Sequence, residues 1–165
     1  MNQKAFRILV VAAILLAILI LPLSAQNKPD TRVQTLLDKI DQEYTVTKAG
    51  NYQVELDTKD DRTQFVYISS ATEKYSGIEI REIWSNAGTF PEEPDQATLL
   101  DLMTESGSNK IGCWALEKQD DGSYLLYYTI KLPISFTASD LKMMIAFSAT
   151  IADAREEQFF GTDDD

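Results

Sequence analysis

Two periods take turns along this chain. Val33, Leu36, Leu37 and Ile40 recur at the three- and four-residue spacing of a single helix face. Asp30 or Thr31 stands ahead of them, a side-chain oxygen placed to accept a free backbone N–H as N-cap. The period then drops to two. Tyr52, Val54 and Leu56 alternate with Gln53, Glu55 and Asp57, which predicts a half-buried strand. Gly50 and Asn51 before it mark a bend or bulge that would carry Tyr44 and Val46 into the same ribbon. Asp60, Asp61 and Arg62 read as a turn, residues 64–70 as a second strand, Tyr75-Ser76-Gly77 as a break and residues 78–85 as a third strand with Ile78, Ile80 and Trp84 on one side. Residues 86–94 hold Gly88, Pro91 and Pro94 and read as a loop.

Asp95 then heads a short helix carrying Ala97, Leu99, Leu100 and Met103, which Gly107, Ser108 and Asn109 bring to an end. Residues 111–117 and 124–132 predict two strands joined by Asp120-Asp121-Gly122, a good hairpin turn. Thr137 and Asp140 have capping-box spacing ahead of Leu141, Met144, Ile145, Ser148, Ile151 and Ala152, a helical stripe running on toward Phe159. The predicted order is α-β-β-β-α-β-β-α. Consecutive strands on tight turns pair antiparallel, so the class is α+β: an antiparallel sheet of about five strands with three helices.

The first 25 residues follow another rule. Lys4 and Arg7 precede an unbroken apolar run from Ile8 to Leu21, then Pro22 and Leu23-Ser24-Ala25. A basic start, an apolar stretch and a small residue are the layout of a secretory signal peptide, with cleavage expected between Ala25 and Gln26. The alternative is an uncleaved inner-membrane anchor. A helix over residues 8–23 would reach about 24 Å at 1.5 Å per residue, short for a hydrocarbon core of about 30 Å, so the cleaved form is preferred. On this reading 1–25 is the signal and 26–165 a single domain, with 161–165 an acidic, disordered tail. The domain would be periplasmic or secreted, with no stable membrane insertion after cleavage.

Composition narrows the chemistry. The chain of 165 residues has 15 Lys+Arg against 26 Asp+Glu, a single Cys and no His, and a net charge of −11. Lys4 and Arg7 are the only charges of the signal segment, so the domain alone is more negative still. Without His there is no Ser-His-Asp or Cys-His nucleophile system and no His-ligated metal. One Cys makes neither an intramolecular disulfide nor a thiolate metal cluster. Phosphate binding needs clustered Lys and Arg, and no cluster is present, which argues against nucleic acid.

The segment Asn109-Lys-Ile-Gly-Cys-Trp-Ala-Leu-Glu, followed by Asp121-Gly-Ser-Tyr-Leu-Leu-Tyr-Tyr-Thr-Ile, Leu132-Pro133 and a long helix containing Ala152-Asp153-Ala154, resembles the YbjN family. That family is described as bacterial sensory transduction regulators, with a fold similar to type III secretion chaperones. The resemblance spans residues 30–159 and implies an α+β sandwich that often forms dimers and binds protein. It brings no active site to carry over. Many members lack a signal peptide, so a cytoplasmic role does not follow.

Candidate catalytic and metal groups read as structural. Asp120-Asp121 and Asp57, Asp60, Asp61 lack the alternate spacing and closing Glu of a calcium loop. Glu79 and Glu82 fall on opposite faces of their strand. Cys113 is expected to be a small buried hydrophobe. Ser69, Ser70, Ser76 and Ser148 have no His base. No cofactor, metal ligand or catalytic residue is assigned.

The aromatic residues say more. Phe65, Tyr67 and Ser69 point one way along their strand while Val66 and Ile68 point the other. Leu125, Tyr127, Thr129 and Lys131 oppose Tyr124, Leu126, Tyr128, Ile130 and Leu132. Both faces are thus rich in large apolar groups, where a one-sided sheet would alternate cleanly with polar residues. Either helices straddle the sheet, the preferred expectation, or the second face meets a partner. In the second case Phe65, Tyr67, Leu125 and Tyr127, with Trp84, are the contact set. The expected function is an exported, non-enzymatic domain binding a protein partner or a second copy of itself. The rival is an envelope enzyme or small-ligand binder built on clustered carboxylates.

Overall fold

A computed structural model describes residues 28–161. The expected signal segment 1–25, the cleavage expected between Ala25 and Gln26, and the tail beyond Gly161 lie outside the described residues. Among those described, no helix is long and apolar enough to cross a membrane.

Helix α1 (Thr31–Lys39) starts where the Asp30 carboxylate accepts the backbone N–H of Arg32 at 2.9 Å. Strands β1 (Thr45–Val46), β2 (Tyr52–Asp57), β3 (Thr63–Ile68), β4 (Glu73–Tyr75) and β5 (Ile78–Phe90) follow, with a short 3₁₀ turn at Lys59–Asp61. Helix α2 (Gln96–Ser108) is capped by Asp95, which accepts from the Thr98 N–H. Strands β6 (Cys113–Lys118) and β7 (Tyr124–Pro133) form the second hairpin. Helix α3 (Ala138–Phe159) begins with the expected capping box of Thr137 and Asp140. Over the described residues the fold is a mixed α+β architecture of three helices and an antiparallel sheet.

The sheet has seven strands rather than about five, in the order β1-β2-β3-β5-β7-β6, with β4 paired to β5 off that path. The two additions are short. Strand β1 turns back on β2 as a separate strand, pairing Thr45 with Gln53, instead of continuing it through a bulge. Strand β4 is wholly exposed and shows no apolar alternation. Its signal lay in the turn: Ser76 and Gly77 both adopt positive φ, 48° and 84°, as a tight hairpin with right-handed strand twist requires.

The supposed loop at 86–94 is half strand. β5 continues to Phe90 through a register shift between Asn86 and Gly88. Gly88 has φ 124°, and a Cβ there would lie 2.5 Å from the Phe160 ring. The glycine thus serves a bulge with close packing, not a chain break.

The three helices of the described residues lie on one side. Leu141, Ile145 and Ala149 of α3 and Val33 and Leu37 of α1 share a core with Val54, Val66, Ile68, Ile83, Tyr128 and Ile130. Leu102 of α2 joins Ala87, Leu126 and Ala152 in a second cluster beside it. Strand residues two apart face the same way, and register places Val54 opposite Val66, Ile68 opposite Ile83 and Ile83 opposite Ile130. These strand positions therefore form one inner face. The straddled sheet is corrected accordingly: α1 packs against α3 and α2 against β6, extending one helical layer, and among the described residues no helix covers the outer face. Each large side chain buried in that layer contributes about 1.5–3 kcal/mol.

Candidate functional site: the outer face of the sheet

The outer face can be followed row by row through the strand register. One row runs Gln53, Tyr67, Trp84, Thr129, Cys113 from β2 to β6. Beside it Glu55 pairs with Phe65, and Asn86 with Tyr127, which pairs in turn with Ala115. Further along, Leu125 lies between Thr89 and Glu117. The five aromatic and aliphatic positions expected as a contact set, Phe65, Tyr67, Trp84, Leu125 and Tyr127, thus share one face, each half-buried. At its centre the Tyr67 and Trp84 rings stack, with centroids 5.3 Å apart and planes 18° from parallel.

Shallow hollows flank this stripe. A hollow of about 530 Å³ is lined by Glu43, Glu55, Asp57 and Phe65, among others. A second, of about 190 Å³, lies between Trp84, Leu125 and Tyr127, with Glu82 and Glu117 at its margin. A third, of about 250 Å³, also borders Glu82 and adds Glu73 and Lys131. The rim is therefore acidic. Six carboxylates, those of Glu43, Glu55, Asp57, Glu73, Glu82 and Glu117, line these hollows, against the single base Lys131. Lys131 lies 3.9 Å from Glu82, which also accepts the Thr129 hydroxyl at 2.6 Å. Burial, reinforced by Glu82 and Glu117, pushes the Tyr127 phenol above its ordinary value.

Cys113 stands at the end of the central row and is exposed, correcting its expected place in the core. The alternation explains the outcome. Trp114 takes the inner position opposite Tyr128, so Cys113 falls on the outer face of the edge strand.

Elsewhere the charged groups brace the fold. Arg81 is 2% exposed on the inner face. It donates to the carbonyl of Ser69 and to the Asp30 carboxylate. Arg32 spans Asp30 and Glu79, reaching them at 2.6 Å and 2.7 Å. Arg32, with Arg81 behind it, holds the Asp30 carboxyl well below the usual carboxylate range. Arg32 and then the Thr72 hydroxyl lower Glu79 to about 2. Glu79 is thereby tied to α1, while Glu82 faces outward to Thr129, so the two do not converge. Arg62 joins Asp153 at 2.8 Å and Glu156 at 3.0 Å, fastening the turn before β3 to α3. Arg155 of α3 pairs with Asp101 and Glu105 of α2.

Asp95, Asp121 and Asp140 are also displaced downward, by hydrogen bonds from nearby N–H and hydroxyl groups. A carboxylate so displaced is a poor proton donor near neutrality. Among the described residues no three carboxylate or cysteine side chains converge as metal ligands. What the outer face offers chemically is aromatic area, acceptors and negative charge. Sequence reasoning identified the aromatic stripe but not the individual residues of its acidic frame, although Glu55 and Glu82 obey the same alternation that placed Tyr67 and Trp84.

No family model matches the chain, and no curated protein matches it. Among solved structures, it is similar to the crystal structure of YbjN from E. coli, at 15% identity and a TM-score of 0.48, covering 76% of this chain and 87% of that one. A likeness of that degree carries no functional inference.

Proposed function

We propose that this chain is an exported, non-enzymatic protein-binding domain of the bacterial envelope, and that the outer face of its sheet is the binding surface. The observation that supports this reading is the aromatic stripe. Phe65, Tyr67, Trp84, Leu125 and Tyr127 occupy one face of three adjacent strands, the described α-helices all pack on the other, and each of the five is left half-exposed. Aromatic side chains combine large contact area with few rotatable bonds, and tyrosine adds a hydroxyl that bonds at a wet boundary. Such residues dominate the energetics of protein interfaces. Export is supported by the order of charge, apolar run and small residue over positions 1–25.

The test uses the full chain as the cell processes it. A photo-crosslinking amino acid is placed at Ala115, beside Tyr127 and not itself part of the stripe. A discrete adduct with one envelope protein, or with a second copy, is the expected result. Tyr67→Asp/Tyr127→Asp should abolish the adduct while leaving the circular dichroism spectrum unchanged. An adduct that survives this double substitution in a folded chain overturns the reading, as does an absence of any adduct.

A further inference from the structure

The stripe and its frame together describe an occupant. Glu55 lies on β2, one strand in from the β1 end of the sheet's main path, and Glu117 on β6 at its other end, with β3, β5 and β7 between them. Four strand spacings of about 4.8 Å separate those two strands, roughly 19 Å. Between them come Phe65, Tyr67, Trp84 and Tyr127. Glu82 lies beside the stripe near its middle, with Asp57 and Glu43 beyond Glu55. An extended chain advances at most about 3.3–3.6 Å per residue, so about six residues cross the distance.

We infer that the outer face takes an extended segment of a partner protein that carries Lys or Arg at both ends of an apolar or aromatic centre. This rests on the protein-binding reading above and adds the chemistry of the partner. The frame selects a cation at each end, and the rings select the centre. The frame is six carboxylates to one base, and that base is already beside Glu82. An acidic segment would meet like charge at every edge, and complementary charge is what sets partner choice and encounter rate. The stacked Tyr67 and Trp84 rings, at the centre of the stripe, receive the apolar or aromatic middle of the segment. A second copy of this chain fits poorly, since its own outer face would bring an identical acidic frame against this one.

The probe is a fluorescein-labelled heptapeptide with lysine at each end and tyrosines inside, compared with the same peptide ended by glutamates. Anisotropy titrations are run against the processed full chain at low and moderate salt. The lysine peptide should bind at least tenfold more tightly than the glutamate peptide and lose affinity as salt rises. Glu55→Gln/Glu117→Gln should weaken the lysine peptide about tenfold. Both glutamates lie on strand surfaces, and unchanged thermal melting of that variant shows that the fold is intact. Equal binding of the two peptides, no binding of either, or an unaffected double variant overturns the inference. So does sedimentation showing a dimer that Tyr67→Asp disperses, which would give the face to a second copy. The crosslink at Ala115 separates the two levels. A partner captured there while the lysine peptide shows no preference sinks the cationic occupant and leaves the binding face standing, whereas loss of both removes both.

Discussion

The two faces of the sheet are built from the same kinds of residue and behave differently. On the inner face Tyr52 and Tyr128 are 1% and 0% exposed. Each hydroxyl is committed to a backbone carbonyl, that of Asp30 for Tyr52 and that of Ile111 for Tyr128. Charge on that side is buried and paired, as in Arg81 with Asp30. On the outer face Tyr67 and Tyr127 are half-buried and the carboxylates stand around them. Aromatic content alone therefore does not separate core from contact surface. What separates them is whether helices close over the rings and whether neighbouring charge is neutralised inside the fold. Stability should reside on one face and recognition on the other.

The largest contrast is expected at the tyrosines. Tyr128→Ala removes a ring that packs on Trp114 and Phe147, at centroid distances of 5.2 Å and 5.9 Å. A loss of about 3–5 kcal/mol is expected, the range for emptying a large aromatic site. Tyr67→Ala on the outer face should cost less than about 1.5 kcal/mol, closer to an ordinary surface change. Urea unfolding with equal m-values for both variants makes the comparison direct. Equal losses would mean that the outer face is part of the core after all.

Charge should divide the same way with a smaller gap. Arg81→Met leaves the Asp30 carboxylate with Arg32 alone and the Ser69 carbonyl without its donor. A cost of about 3 kcal/mol follows from breaking one side of a buried pair. Lys131→Met removes a long contact to Glu82 at a side chain that is 62% exposed. A change within about 0.5 kcal/mol is expected there.

Acid should find the same network. Asp30 and Glu79 both titrate lower in the folded chain than the ordinary carboxylate value of about 4. A lowered folded pKa means that their stabilisation is complete above the unfolded value and is lost as pH falls toward the folded one. The urea midpoint should therefore decline as pH drops from about 4 toward 2. Asp30→Asn keeps an N-cap acceptor and removes that carboxyl, so its profile should be the flatter of the two. An unchanged slope would remove Asp30 from the acid-sensitive set.

How much of this could be read in the residues depended on which physical rule governed each part. Helix starts were legible because caps are local chemistry: Asp30, Asp95 and Thr137 each bond a backbone N–H within three residues. Facing was legible too, since alternation fixes which side each strand residue takes. Layering was not, because whether α1 and α2 cross to the second face depends on tertiary packing and not on any local pattern. Strand β4 was hidden because Glu73, Lys74 and Tyr75 are exposed and carry no apolar alternation. Gly88 read as a loop because a bulge and a chain break look alike until Phe160 is seen against it. Arg81 went unnoticed because its partner Asp30 is 51 residues away.

The smallest effect is the most informative about the outer face. Tyr67 and Trp84 are direct neighbours across β3 and β5 and stack at 5.3 Å. A double-mutant cycle with Tyr67→Leu and Trp84→Leu should return a coupling of about 0.5–1.5 kcal/mol, as for other aromatic pairs. That is small beside the loss expected at Tyr128, although both sites involve stacked or edge-packed rings. The rings on the outer face hold one another in place without anchoring the fold, which is the condition for spending them on a partner. The same cycle repeated with the lysine-ended peptide bound should show a larger coupling, because the segment lies across both rings at once. A coupling that does not change on binding would place the peptide elsewhere on the sheet.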